Sequence, residues 1–214
     1  MTVPIIIAAV IVAYLIGSIP TAIWFGRVYY GIDVREHGSG NPGATNTFRV
    51  LGKKAGTIVM LIDIVKGLSA TSLATLLMIL NVLPEHNLVT FKLIFGVTAV
   101  LGHIFPVFLS FKGGKGVATL LGMMLSIHYE VALICVGIFL VILIFSKYVS
   151  LGSILGTLAF PTLLLFVPRF KTSEPILVIF GFCLFIVVLW THHKNIKRIV
   201  DGEENKTYLI KPKK

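Results

Sequence analysis

The sequence predicts an all-α integral membrane protein, because apolar residues dominate its composition and gather into runs long enough to cross a bilayer. Of its 214 residues, 56% are hydrophobic and 13% are charged. A soluble domain has about half apolar and about a quarter charged residues. The mean hydropathy is +0.95. The length suits one membrane-embedded domain over residues 1–214.

Crossing about 30 Å of hydrocarbon takes roughly 20 apolar residues in a helix. The N-terminal run has no basic segment before it and no cleavage site, so we expect a membrane span rather than a signal peptide. Five runs are clear candidate spans: residues 4–25, 55–83, 88–111, 149–167 and 175–190.

The apolar run over residues 117–145 allows two interpretations. As one helix it would be about 43 Å long at 1.5 Å per residue, which is long for a membrane. Alternatively, the polar residues His128, Tyr129 and Glu130 turn the chain. That leaves a short span of about 16 Å over residues 117–127 and another over residues 131–145.

Three polar stretches lie between these runs, over residues 38–49, 111–119 and 191–198, and they carry almost no carboxylate. Seven spans, with a short fourth span, bring all three stretches to one face, together with 15 of the 19 Lys and Arg residues. The positive-inside rule makes that face cytoplasmic. We therefore expect an extracytoplasmic N-terminus and a cytoplasmic C-terminus.

The first stretch can form an anion-binding loop, because glycines let the backbone approach a ligand and successive N–H groups form a concavity. Its hydroxyl and amide side chains add donors, and its arginine suits bidentate binding of phosphate. An ordinary turn between helices is the alternative. The candidate phosphate-binding residues are Gly38, Ser39, Gly40, Asn41, Gly43, Thr45, Asn46 and Arg49.

The second stretch runs directly into an apolar segment, so it predicts a glycine loop at a helix N-terminus, which favours phosphate. It is not a Walker A loop, because Lys115 is followed by Gly116. A simple positive-inside anchor would explain the lysines but not the glycines. The candidate residues are Lys112, Gly113, Gly114, Lys115, Gly116 and Thr119.

In the third stretch, His192, Asn195 and Arg198 share one face if the helix continues. Histidine can act as an acid or a base near neutral pH. Taken alone, this stretch is more typical of a basic juxtamembrane segment than of a site.

Ionisable residues within the predicted spans include Asp63, Lys66 and His103. Asp63 and Lys66 are spaced i, i+3 and predict either an ion pair that supports the site or a structural pair with a partly snorkelling lysine. His103 precedes Pro106, and we expect its ring to satisfy a backbone carbonyl that the proline leaves free, with phosphate binding as the alternative.

Net charge and missing motifs further narrow the possible classes of function. The formal net charge of +10 suits lipid headgroups and phosphorylated molecules. Nucleic acid is a poor candidate because no soluble domain carries a binding face, and no feature implies an obligate protein partner. No carboxylate cluster suits Mg²⁺ or Zn²⁺, so neither metal nor cofactor is expected. A transporter or flippase is the rival class, although no internal repeat supports it.

Three segments resemble, in order and spacing, the signature regions of the bacterial acyl-phosphate-dependent glycerol-3-phosphate acyltransferases (PlsY-type): GSGNPGATNTFR, GHIFPVFLSFKGGKGVAT and HHKNIKRIVDGEENK. The run over residues 63–67 is also similar to a family feature. Thr191 stands where the family pattern has arginine, which affects only an auxiliary charge.

The resemblance implies a seven-span enzyme of the bacterial cell membrane with a cytoplasmic site. It implies acyl transfer from fatty acyl phosphate to the 1-hydroxyl of glycerol 3-phosphate, which gives lysophosphatidic acid and phosphate. We expect direct attack, in which Ser39, Arg49 and Lys115 hold phosphate. His192 and Asn195 would orient the hydroxyl or stabilise developing charge. The proton acceptor is either His192 or the departing phosphate.

Overall fold

A computed structural model describes residues 2–172 and 174–207, and this part of the chain is helical, without strands. Short 3-10 turns join several of the α-helices. The helices are α1 (Thr2–Ser18), α2 (Thr21–Tyr30), α3 (Ala44–Val50), α4 (Gly52–Ile79), α5 (Leu88–Ile104), α6 (Val117–Ser146), α7 (Val149–Phe166), α8 (Pro175–Thr191) and α9 (His193–Val200).

The helices group into two compact units, Met1–Ile127 and His128–Lys214. In the first unit, α1, α4 and α5 pack together around small side chains that include Ala13, Ala70 and Ala99. A Cβ on Gly17 would lie 2.1 Å from the Ala99 carbonyl oxygen, so glycine permits this close approach. In the second unit, α7 packs against α8. That both units act as one domain stays a prediction.

The first predicted span is not one straight helix. The chain breaks between α1 and α2, whose axes differ by 44°. Pro20 lies at the break and has no N–H to continue the hydrogen-bond ladder. The prediction of a continuous helix over residues 4–25 is therefore wrong at this point.

The third predicted span also ends early. Helix α5 stops at Ile104 rather than near residue 111, because Pro106 follows. A 3-10 turn over Val107–Leu109 comes next. Ser110 and Phe111 then take left-handed backbone conformations with φ of 49° and 62°. This irregular segment leads into the second polar stretch.

Helix α6 is interrupted where the sequence predicted a turn. His128 has non-helical backbone angles, φ −151° and ψ 85°, and the boundary between the two units falls beside it. The interruption is a single residue within the helix and not a loop of three residues.

The remaining predicted spans agree with α4, α7 and α8 to within a few residues at each end. Within the described residues, four helices are long and apolar enough to cross a membrane, or up to six if each bent pair forms one span. The chain is thus an all-α protein with several membrane-spanning candidates. Seven crossings and their orientation stay a prediction.

Candidate functional site

Asn46 organises the first polar stretch from within. Its side chain is buried, and its Nδ2 donates to the carbonyl oxygens of Val34 at 2.7 Å and His37 at 3.0 Å. Its Oδ1 accepts the Ser39 N–H at 2.8 Å. Both polar atoms are used inside the loop. The structure thus gives Asn46 a loop-organising role, where the sequence predicted direct contact with phosphate.

Glycine is required at the start of this loop. Gly38 has a φ of +61°, which L side chains rarely adopt, and a Cβ there would lie 2.4 Å from Asn46 Oδ1. Helix α3 begins after Gly43, and exposed Arg49 lies in its last turn. The other predicted residues of this stretch lie in the loop or the first turn of α3: Ser39, Gly40, Asn41 and Thr45.

Asp33, which the sequence analysis missed, stabilises the segment that leads into this loop. Its carboxylate accepts from Arg35 Nη2 at 2.7 Å, from the Arg35 backbone N–H at 3.0 Å and from Arg27 Nη2 at 2.9 Å. The Arg35 side chain, followed by the other donors, holds the pKa of the Asp33 carboxyl well below its usual range. The sequence signal that could have indicated this role is a carboxylate close in sequence to two arginines, Arg27 and Arg35.

The second polar stretch is anchored to the end of α5. The N–H of Gly113 donates to the Ile104 carbonyl at 3.0 Å, and the N–H of Gly114 donates to the His103 carbonyl at 3.1 Å. These two N–H groups therefore satisfy the carbonyls freed near Pro106, and they are not the anion donors that the sequence predicted. The expectation that the His103 ring satisfies such a carbonyl is also wrong.

The rest of this stretch forms a glycine turn at the N-terminus of α6. Gly116 has a φ of +78°, and α6 begins at Val117. Lys115 is partly buried, whereas Lys112 is exposed. Thr119 is fully buried, and its Oγ1 has no hydrogen-bond partner within the described residues. The predicted glycine loop before a helix is confirmed.

A buried ion pair connects α4 to its neighbours. Lys66 Nζ lies 2.7 Å from Asp63 Oδ1 and 3.2 Å from His103 Nδ1, and it donates to the Ile19 carbonyl at 2.8 Å. Only 4% of the Lys66 side chain is exposed, so the lysine does not snorkel. The ammonium satisfies a carbonyl at the α1–α2 break, which explains why a charge is retained there.

The third polar stretch is bent at His192, so the condition that the helix continues holds only from His193 to Val200. Helices α8 and α9 differ in direction by 61°. His192 is buried, and its Nδ1 lies 2.8 Å from the Val188 carbonyl oxygen. Since a carbonyl only accepts, Nδ1 carries the proton and Nε2 carries the lone pair in the neutral ring.

Glu204 gathers the polar residues of the second unit, and the sequence analysis missed it. Its Oε1 accepts from Asn195 Nδ2 at 2.6 Å and from Ser150 Oγ at 2.9 Å, and its Oε2 accepts from Arg198 Nε at 2.9 Å. Burial opposes ionisation of this carboxyl, but the three hydrogen bonds outweigh burial and lower its pKa. A glutamate just after a basic helix was the available signal.

The predicted residues therefore form two clusters, each described within its own unit. The first and second stretches, with Asp63, Lys66 and His103, belong to Met1–Ile127, and the third belongs to His128–Lys214. That all three stretches form one site stays a prediction. Over residues 2–172 and 174–207, no group of His, Cys, Asp and Glu side chains is arranged to hold a metal ion.

Apolar helices of membrane-spanning length, with hydroxyl, amide and basic side chains gathered near their ends, define an integral membrane protein with a polar site. Comparison with known families identifies it further. The sequence model of the glycerol-3-phosphate acyltransferase family matches residues 7–202, and the chain belongs to this family.

Individual relatives agree with this assignment. The glycerol-3-phosphate acyltransferases of Chlorobium phaeobacteroides (strain BS1) and Chlorobaculum tepidum are each 43% identical to this chain. Those alignments cover 94% of this chain and 96% and 95% of the respective relatives.

Solved structures agree as well. A crystal structure of PlsY, an integral membrane glycerol 3-phosphate acyltransferase, in its glycerol 3-phosphate form has a TM-score of 0.81 and 35% identity, covering 95% of this chain and 96% of PlsY. The lysophosphatidic acid form has a TM-score of 0.78 and 33% identity, covering 95% of each chain.

Proposed function

We propose that this protein transfers a fatty acyl group from acyl phosphate to the 1-hydroxyl of glycerol 3-phosphate. The hydroxyl oxygen forms the new ester bond, the acyl–phosphate bond breaks, and lysophosphatidic acid and inorganic phosphate leave. This is the first acylation step of phospholipid biosynthesis. The observation that carries the proposal is the match to PlsY in its glycerol 3-phosphate form over 95% of this chain.

The side chains of the two clusters suit this substrate pair. Both substrates carry phosphate, and basic side chains such as Arg49 and Lys115 supply the opposite charge. Ser39, which lies in the loop organised by Asn46, adds a hydroxyl donor. Acyl phosphate is already activated at its carbonyl carbon, so hydrogen-bond donors and fixed charge are sufficient for the transfer.

His192 and Asn195 are assigned to the reacting hydroxyl. The Nε2 lone pair of the His192 tautomer can accept a hydrogen bond from that hydroxyl, and the Asn195 amide is held by Glu204. Donors held in advance stabilise developing charge without reorganisation. The hydroxyl proton goes either to His192 Nε2 or to the departing phosphate. Arg198, which follows Asn195 by three residues, is assigned to binding a substrate phosphate.

We place the reaction at the cytoplasmic face of the bacterial cell membrane, in a seven-span protein. The ion pair between Arg169 Nη2 and Glu130 Oε1, at 3.2 Å, is compatible with this count. In an antiparallel pair of spans, Glu130 near the start of one and Arg169 after the end of the next lie at the same face. This arrangement agrees with a chain that turns near His128.

The test is direct. Purified protein in lipid vesicles receives acyl phosphate and glycerol 3-phosphate, and we expect stoichiometric release of inorganic phosphate and lysophosphatidic acid. Acyl coenzyme A and acyl carrier protein serve as alternative donors and should give no product. Ser39→Ala and Arg49→Ala should each lower the rate of acyl transfer. Glu36→Ala is the control and should leave the rate unchanged, because Glu36 is an exposed residue next to Arg35 in sequence.

Two outcomes would contradict the proposal. Movement of a labelled phosphorylated solute or lipid across the vesicle membrane, without phosphate release, would assign the protein to transport. A covalent acyl-protein trapped with labelled acyl phosphate would exclude direct attack and require an enzyme nucleophile.

A further inference from the structure

A buried histidine lies against the second glycine loop, and the proposed mechanism does not use it. His103 is in the last turn of α5 and is 8% exposed. Its Nδ1 lies 3.2 Å from Lys66 Nζ. A lysine ammonium has three N–H donors and no acceptor. Nδ1 must therefore accept, and the proton of the neutral ring is on Nε2.

The Lys66 ammonium contacts three groups in this arrangement. It donates to the Ile19 carbonyl oxygen at 2.8 Å and lies 3.2 Å from His103 Nδ1. Its contact with Asp63 Oδ1 at 2.7 Å is an ion pair. The neighbouring carboxylate offsets the cost of burying the ammonium. The lysine therefore fixes which ring nitrogen of His103 donates.

The donating edge of the ring faces the loop. A Cβ on Gly114 would lie 2.3 Å from His103 Nε2, so only glycine lets the loop backbone approach the ring so closely. Within residues 2–172 and 174–207, Nε2 has no hydrogen-bond acceptor. Because no described residue accepts from it, this N–H is available to a ligand that supplies an acceptor.

A second buried donor is close in sequence to the same loop. Thr119 is fully buried in the first turn of α6, and its Oγ1 has no partner in the described part of the chain. The first turn of a long helix also presents the positive end of the helix dipole. Two unpartnered donors beside a glycine loop fit an acceptor-rich anion.

We propose that His103 donates its Nε2–H to a substrate phosphate at the loop of residues 113–116, and that Lys66 is the positioning residue that fixes this tautomer. The phosphate belongs either to glycerol 3-phosphate or to the acyl donor. This inference rests on the proposed function, because it assigns the phosphate to a substrate of the acyl transfer.

The tautomer is tested by ¹⁵N NMR of ¹⁵N-histidine-labelled protein in nanodiscs, with the His103 signals assigned from their loss in a His103→Gln variant. We expect a protonated Nε2 and an unprotonated Nδ1 at neutral pH. Addition of glycerol 3-phosphate or inorganic phosphate should shift the Nε2 signal. An unprotonated Nε2 in the unsubstituted protein would overturn the inference without touching the proposed activity.

Two substitutions separate donation from packing. The amide nitrogen of glutamine reaches the Nε2 position, whereas that of asparagine does not. We expect His103→Asn to raise the KM for one substrate about tenfold or more, with kcat little changed, and His103→Gln to raise it about threefold or less. The substrate whose KM rises identifies the phosphate. Equal KM values in both variants would overturn the inference.

The positioning role is tested with a neutral pair, so that no buried charge is left alone. The double variant Asp63→Asn/Lys66→Met should give His103 a mixed tautomer and a KM close to that of His103→Asn. Thr71→Val, which removes a fully buried hydroxyl from the same helix, is the matched control and should leave KM unchanged. An unchanged tautomer in the double variant would exclude Lys66 from this role.

Discussion

Single side chains determine the geometry of both clusters, and Glu204 is the clearest example. It accepts from three side chains, two of which, Ser150 and Asn195, are themselves buried. Removing a shared acceptor leaves buried donors unsatisfied, and that effect exceeds the net value of the hydrogen bonds themselves. Asn46 has a comparable structural role in the first unit, because its side-chain amide forms hydrogen bonds with several segments of one loop.

We expect Glu204→Ala to lower the free energy of unfolding by about 2–5 kcal/mol, because two buried donors lose their acceptor and Arg198 loses its partner. Acyl transfer should fall as well, because Asn195 is no longer held. Thermal unfolding in detergent measures the change. Glu203→Ala is the matched control, since Glu203 is exposed, and it should have little effect. Equal effects of both substitutions would contradict this role.

The same carboxylate predicts acid sensitivity. Its pKa is lowered in the folded protein from an ordinary value of 4.5, so the unfolded state binds the proton more readily. Its stabilising contribution is complete above pH 4.5 and is lost as pH falls through the folded-state pKa. The stability difference between the unsubstituted protein and Glu204→Gln should therefore shrink below pH 4.5. A difference that is constant with pH would contradict the shift.

His192 gives a kinetic prediction. If Nε2 accepts the hydroxyl proton, we expect His192→Ala to lower the single-turnover rate about 10²-fold to 10⁴-fold and to remove the acidic limb of the pH–rate profile. His193→Ala, the exposed neighbour, should retain the rate. A large, pH-independent residual rate in His192→Ala would assign the proton to the departing phosphate.

At the scale of elements, glycines on facing helices fix how the first part of α6 packs against α4. A Cβ on Gly67 would lie 1.8 Å from the Thr119 carbonyl oxygen, and one on Gly122 would lie 1.9 Å from the Ile64 carbonyl oxygen. Small residues on both sides therefore allow backbone contact, as is common between membrane helices. This contact places the start of α6, and with it the glycine loop.

We expect Gly67→Ala to destabilise the protein by at least about 1–3 kcal/mol, because two backbones must separate to admit the methyl group. Gly137→Ala is the matched control, since a Cβ there meets nothing within 4 Å. In a helix interior that substitution should be neutral or stabilising by up to about 1 kcal/mol. Unfolding temperatures in detergent measure both. Equal destabilisation would contradict close α4–α6 packing.

Composition and periodicity were sufficient to predict the helices but not how they end. The sequence placed a helix break near His128 and a helix start at Val117, because polar residues and glycines mark such positions. It missed the break at Pro20 and the early end of α5, because a proline in an apolar run also occurs within intact membrane helices. It also missed Asp33 and Glu204, whose partners depend on backbone turns that the sequence does not reveal.

At the scale of the whole molecule, crossing number decides which polar stretches share a face. Six crossings place the third stretch opposite the first two, whereas seven place all three together. Basic residues favour seven, since 15 of the 19 lysines and arginines then lie on one face. The sequence predicted the membrane class and the family from patterns that depend only on composition and motif order.

Orientation is measured by single-cysteine labelling in intact cells, after both native cysteines are replaced. We expect reporters at exposed Lys54 and Lys194 to react only from the cytoplasm, and those at exposed His86 and Arg169 only from outside. A reporter at Tyr129 should also react from outside. Six crossings would exchange the sides of Lys194 and Arg169 and leave Tyr129 unreactive within the bilayer.

The hydrogen bonds that Glu204 accepts from Ser150, Asn195 and Arg198 have a consequence for natural variation in this family. The donors come from α7 and α9, separated from the acceptor by up to 54 positions in the chain. A substitution at any one of them changes the fitness effect of substitutions at the others. Covariation among relatives should therefore couple position 150 with positions 195 and 204, so that lineages which lose the glutamate also replace its buried donors.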